Sequence, residues 1–278
     1  MKKLRRWTGS CLLGMTALIL TSCGQDMLPE EVYKSSIAKM EQLDSVYFTE
    51  SSQLQVGEDQ VSSFTRGVVT YQTPFKAYME TEMNVVDVSE PLDLHIRVNG
   101  DDVTIRENGE TTWEEYNTSA ESVLMKARPT HTLEFFLDFE EEFLMKEEND
   151  LYHVSFKGTD DRHIALAEKK LRRLGIAEEG VLTEETLNSI ELDRIEMVAY
   201  IDTETMYMVG YDTRFTFTME LLGDLVRFNE IIYVRYDDHN HVTGDLEQFM
   251  EEKIKEIERE KMEEREDEED EEEEIITE

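Results

Sequence analysis

The sequence predicts an α+β protein built on a long antiparallel sheet with one apolar face and one wet face. Three observations carry this. Apolar residues recur with period two from Val46 to about Tyr116, and again from Leu192 to Val234. Turn signals interrupt both stretches, Asn99-Gly100 being the strongest. Helical spacing is confined to segments before, between and after the two strand-rich stretches.

In chain order, Pro29 suits the first turn of a helix, and Glu30 and Glu31 sit well at its positive end. Tyr33, Ile37 and Met40 fall on one face, so the helix is expected to reach about Leu43. Val46, Phe48, Leu54 and Val56 then alternate with polar residues. After a strand from Phe64 to Gln72 and a break at Pro74, Phe75, Ala77, Met79 and Met83 share one face, opposite Lys76, Glu80 and Glu82. Leu92, Leu94, Ile96 and Val98 alternate with Asp93, His95 and Arg97, and Val103 and Ile105 continue beyond the hairpin. Thr118 with Glu121 reads as a capping box for a helix from near Ser119, which Arg128-Pro129 breaks. Leu133, Phe136 and Leu137 mark a Phe-rich helix, followed by a hairpin that turns at Asn149-Asp150.

Residues 160–190 read as a helical insertion. Its first helix holds the basic cluster Lys169-Lys170-Arg172-Arg173, and Thr183 is the expected N-cap of its second. Ile195, Met197, Ala199 and Ile201 then alternate inward, and Tyr207, Val209, Tyr211, Phe215 and Phe217 share a face. Gly223-Asp224 turns the chain into a closing strand with Val226, Phe228, Ile232 and Val234.

The two ends differ from this body. Lys2, Lys3, Arg5 and Arg6 precede an apolar run from Trp7 to Leu20, the pattern of a secretory signal peptide. The run is shorter than the roughly 20 residues a spanning helix needs. Leu20-Thr21-Ser22-Cys23-Gly24 resembles a bacterial lipobox. That resemblance implies removal of residues 1–22, a diacylglyceryl group on Cys23, a linker over 23–28, and a place on the outer face of the cell membrane. Each buried methylene contributes about 0.8 kcal/mol, so two acyl chains anchor where one barely holds. Cys11 lies in the signal peptide, which leaves the mature domain no thiol for a disulfide or a Cys-ligated zinc. The last segment, 245–278, is expected to start as a helix. After about 265 it becomes a solvated, disordered tail, because Asp267-Glu268-Glu269-Asp270 and the following glutamates repel one another. A net charge of −37 excludes nucleic acid as a partner and disfavours lying flat on an anionic bilayer.

Four stretches carry a family resemblance. They are Leu43-Asp44-Ser45-Val46-Tyr47-Phe48, Gly67-Val68-Val69-Thr70-Tyr71-Gln72-Thr73-Pro74-Phe75-Lys76, Tyr200-Ile201-Asp202-Thr203-Glu204-Thr205 and Tyr236-Asp237-Asp238-His239-Asn240. Taken in order from Pro29 to Val242, they make the chain similar to the LolA-like fold of periplasmic lipoprotein carriers and the LppX/LprG group of lipid-binding lipoproteins. The similarity is greatest to Firmicutes lipoproteins of unknown function. The resemblance implies that residues 29–244 form an antiparallel half-barrel whose concave apolar face is partly covered by helices. A lipid or acylated ligand would fit there, since acyl chains need apolar area and few hydrogen bonds. By alternation the candidate lining residues are Phe75, Met79, Met83, Leu94, Ile96, Met197 and Phe215; the plainer reading makes them ordinary core.

No phosphate loop, G-x-S-x-G elbow or H-E-x-x-H motif is present. His239 and His241, beside Asp237 and Asp238, can point the same way toward a metal, but an exposed strand end at a turn is the plainer reading, and no metal site is expected. An acidic tail without a fixed loop holds calcium only loosely. The expectation is therefore a lipoprotein that binds an apolar ligand without catalysis, cofactor or metal. The alternative is a surface interaction module with a filled barrel, its acidic tail and the basic helix near Lys169 meeting an envelope protein or cell-wall partner.

Overall fold

The computed structural model describes residues 27–86, 88–128, 130–174 and 183–277. The expected signal peptide, Cys23, Pro129 and residues 175–182 of the expected insertion lie outside the described residues. Helix α1 (Pro29–Glu41) leads into the strands β1 (Ser45–Val56), β2 (Asp59–Thr70), β3 (Lys76–Val85), β4 (Leu92–Asn99), β5 (Asp102–Glu107) and β6 (Glu114–Glu115). The short helices α2 (Ala120–Ala127) and α3 (Thr130–Leu133) follow, then a 3-10 segment, Glu134–Glu142. Next come β7 (Leu144–Glu148), β8 (Leu151–Gly158), α4 (Ile164–Arg173) and α5 (Glu184–Asn188). The chain closes with β9 (Glu191–Asp202), β10 (Met208–Leu221), β11 (Asp224–Asp237) and α6 (Leu246–Thr277).

The strands form one eleven-stranded sheet in the order β6-β5-β4-β3-β2-β1-β11-β10-β9-β8-β7. Two antiparallel meanders are thus sewn together at its centre, where β1 pairs with β11 from Tyr47↔Asp237 to Val56↔Phe228. The edges β6 and β7 do not meet, so the sheet is an open half-barrel. This is the α+β architecture that the alternation predicts.

Helices α1, α3, α4 and the 3-10 segment cover the concave face over β8, β9 and β10. Val32, Tyr33, Ile37 and Met40 of α1 are buried there, each contributing about 1.5–3 kcal/mol through lost apolar exposure. Phe136 of the 3-10 segment packs edge-on against Phe156 of β8 at 5.5 Å and against Phe215 of β10 at 6.2 Å. Tyr33 donates its hydroxyl to the Leu133 carbonyl at 2.9 Å, tying α1 to α3. On β2, Gly67 has no side chain for a reason: an added Cβ would stand 2.4 Å from Phe48 Cε1, whose ring crosses that position.

The convex face is covered separately. Leu246, Phe249, Met250, Ile254 and Ile257 of α6 pack on Tyr47, Val68 and Tyr78. The guanidinium groups of Arg97 and Arg106 lie 4.2 and 4.7 Å from the Trp113 ring centre, and both arginines pair with Glu247 of α6. Lys253 bridges Asp237 and Asp238 at 2.7 and 3.0 Å.

Several local expectations change. The cap of α2 is Ser119, whose Oγ accepts from the Ser122 amide at 3.0 Å, rather than Thr118. The Phe-rich segment is a single α-turn followed by 3-10 turns. In β10 a register shift between Met208 and Gly210 brings Met208, not Val209, into the core. The helix α6 runs to Thr277, where a disordered tail was expected from about 265. Glutamate is a good helix former, and the i,i+4 pairs Glu251–Lys255 and Arg259–Glu263 support the helix before the all-acidic block. Thr183 does cap α5, its Oγ1 accepting from the Thr186 amide at 3.1 Å.

Candidate functional site: the open half of the concave face

The concave face is not uniform. Over β8 to β10 it is sealed: Met197 and Phe215 are 0% exposed, and the Lys170 ammonium lies 5.7 Å from the Phe215 ring. These two predicted lining residues are packed core. Met79, on β3, is also buried. Phe75 is half-buried beside Tyr71, ring to ring at 6.5 Å. Met83, Leu94 and Ile96 are half-buried on β3 and β4, Ile96 packed against the edge of the main core. The predicted set therefore divides between a closed half and an open half.

Register shows what surrounds the open half. Directly opposed residues in antiparallel strands share a face. Glu50 of β1 stands opposite Thr65 of β2, Thr65 opposite Thr81 of β3, and Thr81 opposite Leu94 of β4. One step along, Ser52 stands opposite Ser63 and Ser63 opposite Met83. Thr65 and Thr81 share a hydrogen bond at 2.9 Å, and Ser52 and Ser63 share one at 2.8 Å. All of these hydroxyl side chains are half-buried. Beyond them Leu54 opposes Val61, Val61 opposes Val85 and Met83 opposes Leu92, an apolar track that reaches the exposed β3–β4 loop at Val86 and Val88. At the far side, Leu94 and Ile105 help line a recess of about 240 Å³.

The basic cluster of α4 does not form a patch. Lys169 pairs with Asp138 at 2.5 Å and Arg172 with Glu168 at 2.6 Å, both on the outside. Lys170 is buried and pairs with Glu230 of β11 at 2.5 Å. Arg173 turns inward and donates to Thr132 Oγ1 at 2.8 Å. Burial lowers its pKa, opposed by the electrostatic pull of Tyr211, Glu50, Glu230 and Glu134. Sequence reasoning missed Glu230 and Glu50, although both stand in the inward phase of their strands. Burial likewise raises the hydroxyl pKa values of Tyr71, Tyr211 and Tyr236 around this polar end.

His239, half of the possible metal pair, stacks on Tyr207 at 4.8 Å and approaches the Met208 carbonyl at 3.0 Å through Nε2. Burial lowers its pKa, against the opposite pull of the Met208 carbonyl, Asp237 and Asp238. Among the described residues no group of three or more His, Cys, Asp and Glu side chains is placed to hold a metal. Among the described residues, too, no helix is long and apolar enough to cross a membrane.

A protein whose one open antiparallel sheet carries helices on its concave face belongs to the class of one-sided, antiparallel half-barrels. Residues 29–244 match the family of unknown function DUF6612, and the chain belongs to that family. No curated protein matches it. Among solved structures the chain is similar to LprF from Mycobacterium bovis, at 10% identity over 78% of this chain and 94% of that one, with a TM-score of 0.40. It is also similar to a LolA superfamily protein from Nitrosomonas europaea, at 7% identity over 79% and 96%, TM-score 0.26. A DUF1329 family protein from Desulfovibrio piger follows at 8% identity over 79% and 96%, TM-score 0.25.

Proposed function

We propose that this protein is a lipoprotein of the outer face of the cell membrane that holds a lipid or another apolar ligand on the open half of its concave sheet, without catalysis. The observation that carries the reading is the contrast along one sheet face. Met83, Leu94 and Ile96 stay half-buried where Met197 and Phe215 are fully covered. Apolar side chains left half in water across several adjacent strands are unfavourable in a finished core, and an apolar ligand would complete their burial. The lipobox-like run ending at Cys23 supports the anchor.

Two measurements test the parts separately. A lipid-free chain of residues 24–278, lacking the signal peptide and Cys23, is purified gently and weighed by native mass spectrometry. Bound species of lipid mass that leave on denaturation are expected. A bare polypeptide that also fails to take up a fluorescent fatty acid would overturn the binding reading. For the anchor, Cys23→Ala in the full chain is expected to leave an unprocessed precursor or to release the protein from membranes. Normal processing with unchanged retention would remove the anchor from the proposal.

A further inference from the structure

The open half of the groove is not simply greasy, and its polar part says what kind of ligand it takes. Across β1, β2 and β3, Glu50, Thr65 and Thr81 stand side by side on the concave face, with Ser52 and Ser63 one step along. A site for a bare hydrocarbon would have no use for such a row. Hydroxyls facing an acyl chain lose water contacts without compensation. Here the hydroxyls are held in fixed pairs, Thr65 with Thr81 at 2.9 Å and Ser52 with Ser63 at 2.8 Å. Each pair uses one hydroxyl hydrogen and leaves acceptor lone pairs and a second hydrogen for another partner. All four remain half-buried, hence reachable from the groove. The apolar track of Leu54, Val61, Met83 and Leu92 begins directly beside this row.

Charge narrows the class further. In the inward phase of these strands, over Val46–Val56, Val61–Val69 and Ala77–Val85, the ionic side chain is the carboxylate of Glu50, which acts electrostatically on the inward-turned Arg173. Arg173 is also acted on by Glu230 and Glu134, and it donates to Thr132 Oγ1 at 2.8 Å. A fatty-acid carboxylate or a phosphate placed on the row would face Glu50 within a protein of net charge −37. A neutral head with several hydroxyls would meet no such repulsion. It can donate to the Glu50 carboxylate and both give and take hydrogen bonds with the threonine and serine hydroxyls.

Resting on the lipid-binding reading above, we propose that the ligand is an uncharged amphiphile with a hydroxyl-bearing head, its head seated on the Glu50–Thr65–Thr81 row and its chain laid along Leu54, Val61, Met83 and Leu92. The head lies inside the groove and the chain leads toward the β3–β4 loop.

The test compares three probes with one chain length, each below its aggregation limit: 1-monooleoylglycerol, oleate and oleyl methyl ether. Binding to residues 24–278 is followed by displacement of a fluorescent fatty acid and by native mass spectrometry. Monooleoylglycerol is expected to bind at least tenfold more tightly than oleate or the ether. The double variant Thr65→Val/Thr81→Val removes both partners of one hydrogen bond while keeping their shape, so it leaves no orphaned group. It is expected to lose that preference, with circular dichroism and the thermal midpoint unchanged and the ether bound at least as well as before. Equal binding of all three probes to the unaltered chain would overturn this inference and leave the lipid-binding reading standing. Failure of all three to bind would overturn both. Tightest binding of oleate would reverse the charge argument and overturn the inference alone.

Discussion

Lys170→Met is expected to destabilise the fold by about 3–5 kcal/mol, the usual cost of stripping one partner from a buried ion pair. The Lys170 ammonium and the Glu230 carboxylate are 2.5 Å apart, and each side chain is only 7% exposed. Without the lysine, a carboxylate would be left among Phe215, Leu54 and the underside of α4, and it could escape only by taking a proton or by admitting water. The packing of α4 on the sheet depends on this pair, since Leu166, Ala167 and Leu171 bury the rest of the same helical face. Urea denaturation of the single variant reads the loss directly. The double variant Lys170→Met/Glu230→Leu is expected to recover most of it, because two apolar side chains of similar size need no partner. A single-variant loss below about 1 kcal/mol would mean that the pair behaves as an exposed one, and α4 would then be held by its apolar contacts alone.

That pair also marks the limit of what the sequence makes legible. Period two places Glu230 inward between Phe228 and Ile232, and helical spacing places Lys170 on the same face as Leu166 and Leu171. Each anomaly is visible by itself. Their union is not, because it depends on how the segment between β8 and β9 folds back over the sheet. The same reason divides the predicted lining. Alternation correctly puts Met83, Leu94, Ile96, Met197 and Phe215 on one face, but it carries no information about which helices cover which strands. Hairpins and the inward run from Ile195 to Ile201 follow from local patterns and are readable, whereas the pairing of β1 with β11 joins the two ends of the sheet-forming chain and is not. The bulge that exchanges Val209 for Met208 is a single-residue slip, invisible to a period-two reading. The polar row of Glu50, Thr65 and Thr81 was equally hidden, since it exists only once three strands are in register.

Two tryptophan substitutions separate an open groove from a packed one. Met83→Trp places a large ring on half-buried surface of β3, beside Leu92 and opposite Ser63. There it should fill the space a ligand would occupy, leave stability within about 1 kcal/mol, since partly exposed positions tolerate added volume, and reduce uptake of a lipid probe at least tenfold. Met197→Trp inserts the same ring at a position with 0% exposure, beside Phe156 of β8 across a register pair. Overpacking of that kind typically costs about 1–3 kcal/mol, and it should be felt in the thermal midpoint before it is felt in binding. Uptake and midpoint measured on both variants give a two-by-two result. Loss of uptake at Met83 with a normal midpoint, beside a lowered midpoint at Met197, places the ligand on the β2–β5 half. The opposite pattern would place it beneath the helices, where the side chains would have to part to admit it. A large loss of stability at both positions would mean that the open half is packed in solution, and the protein would then act through its outer surfaces instead.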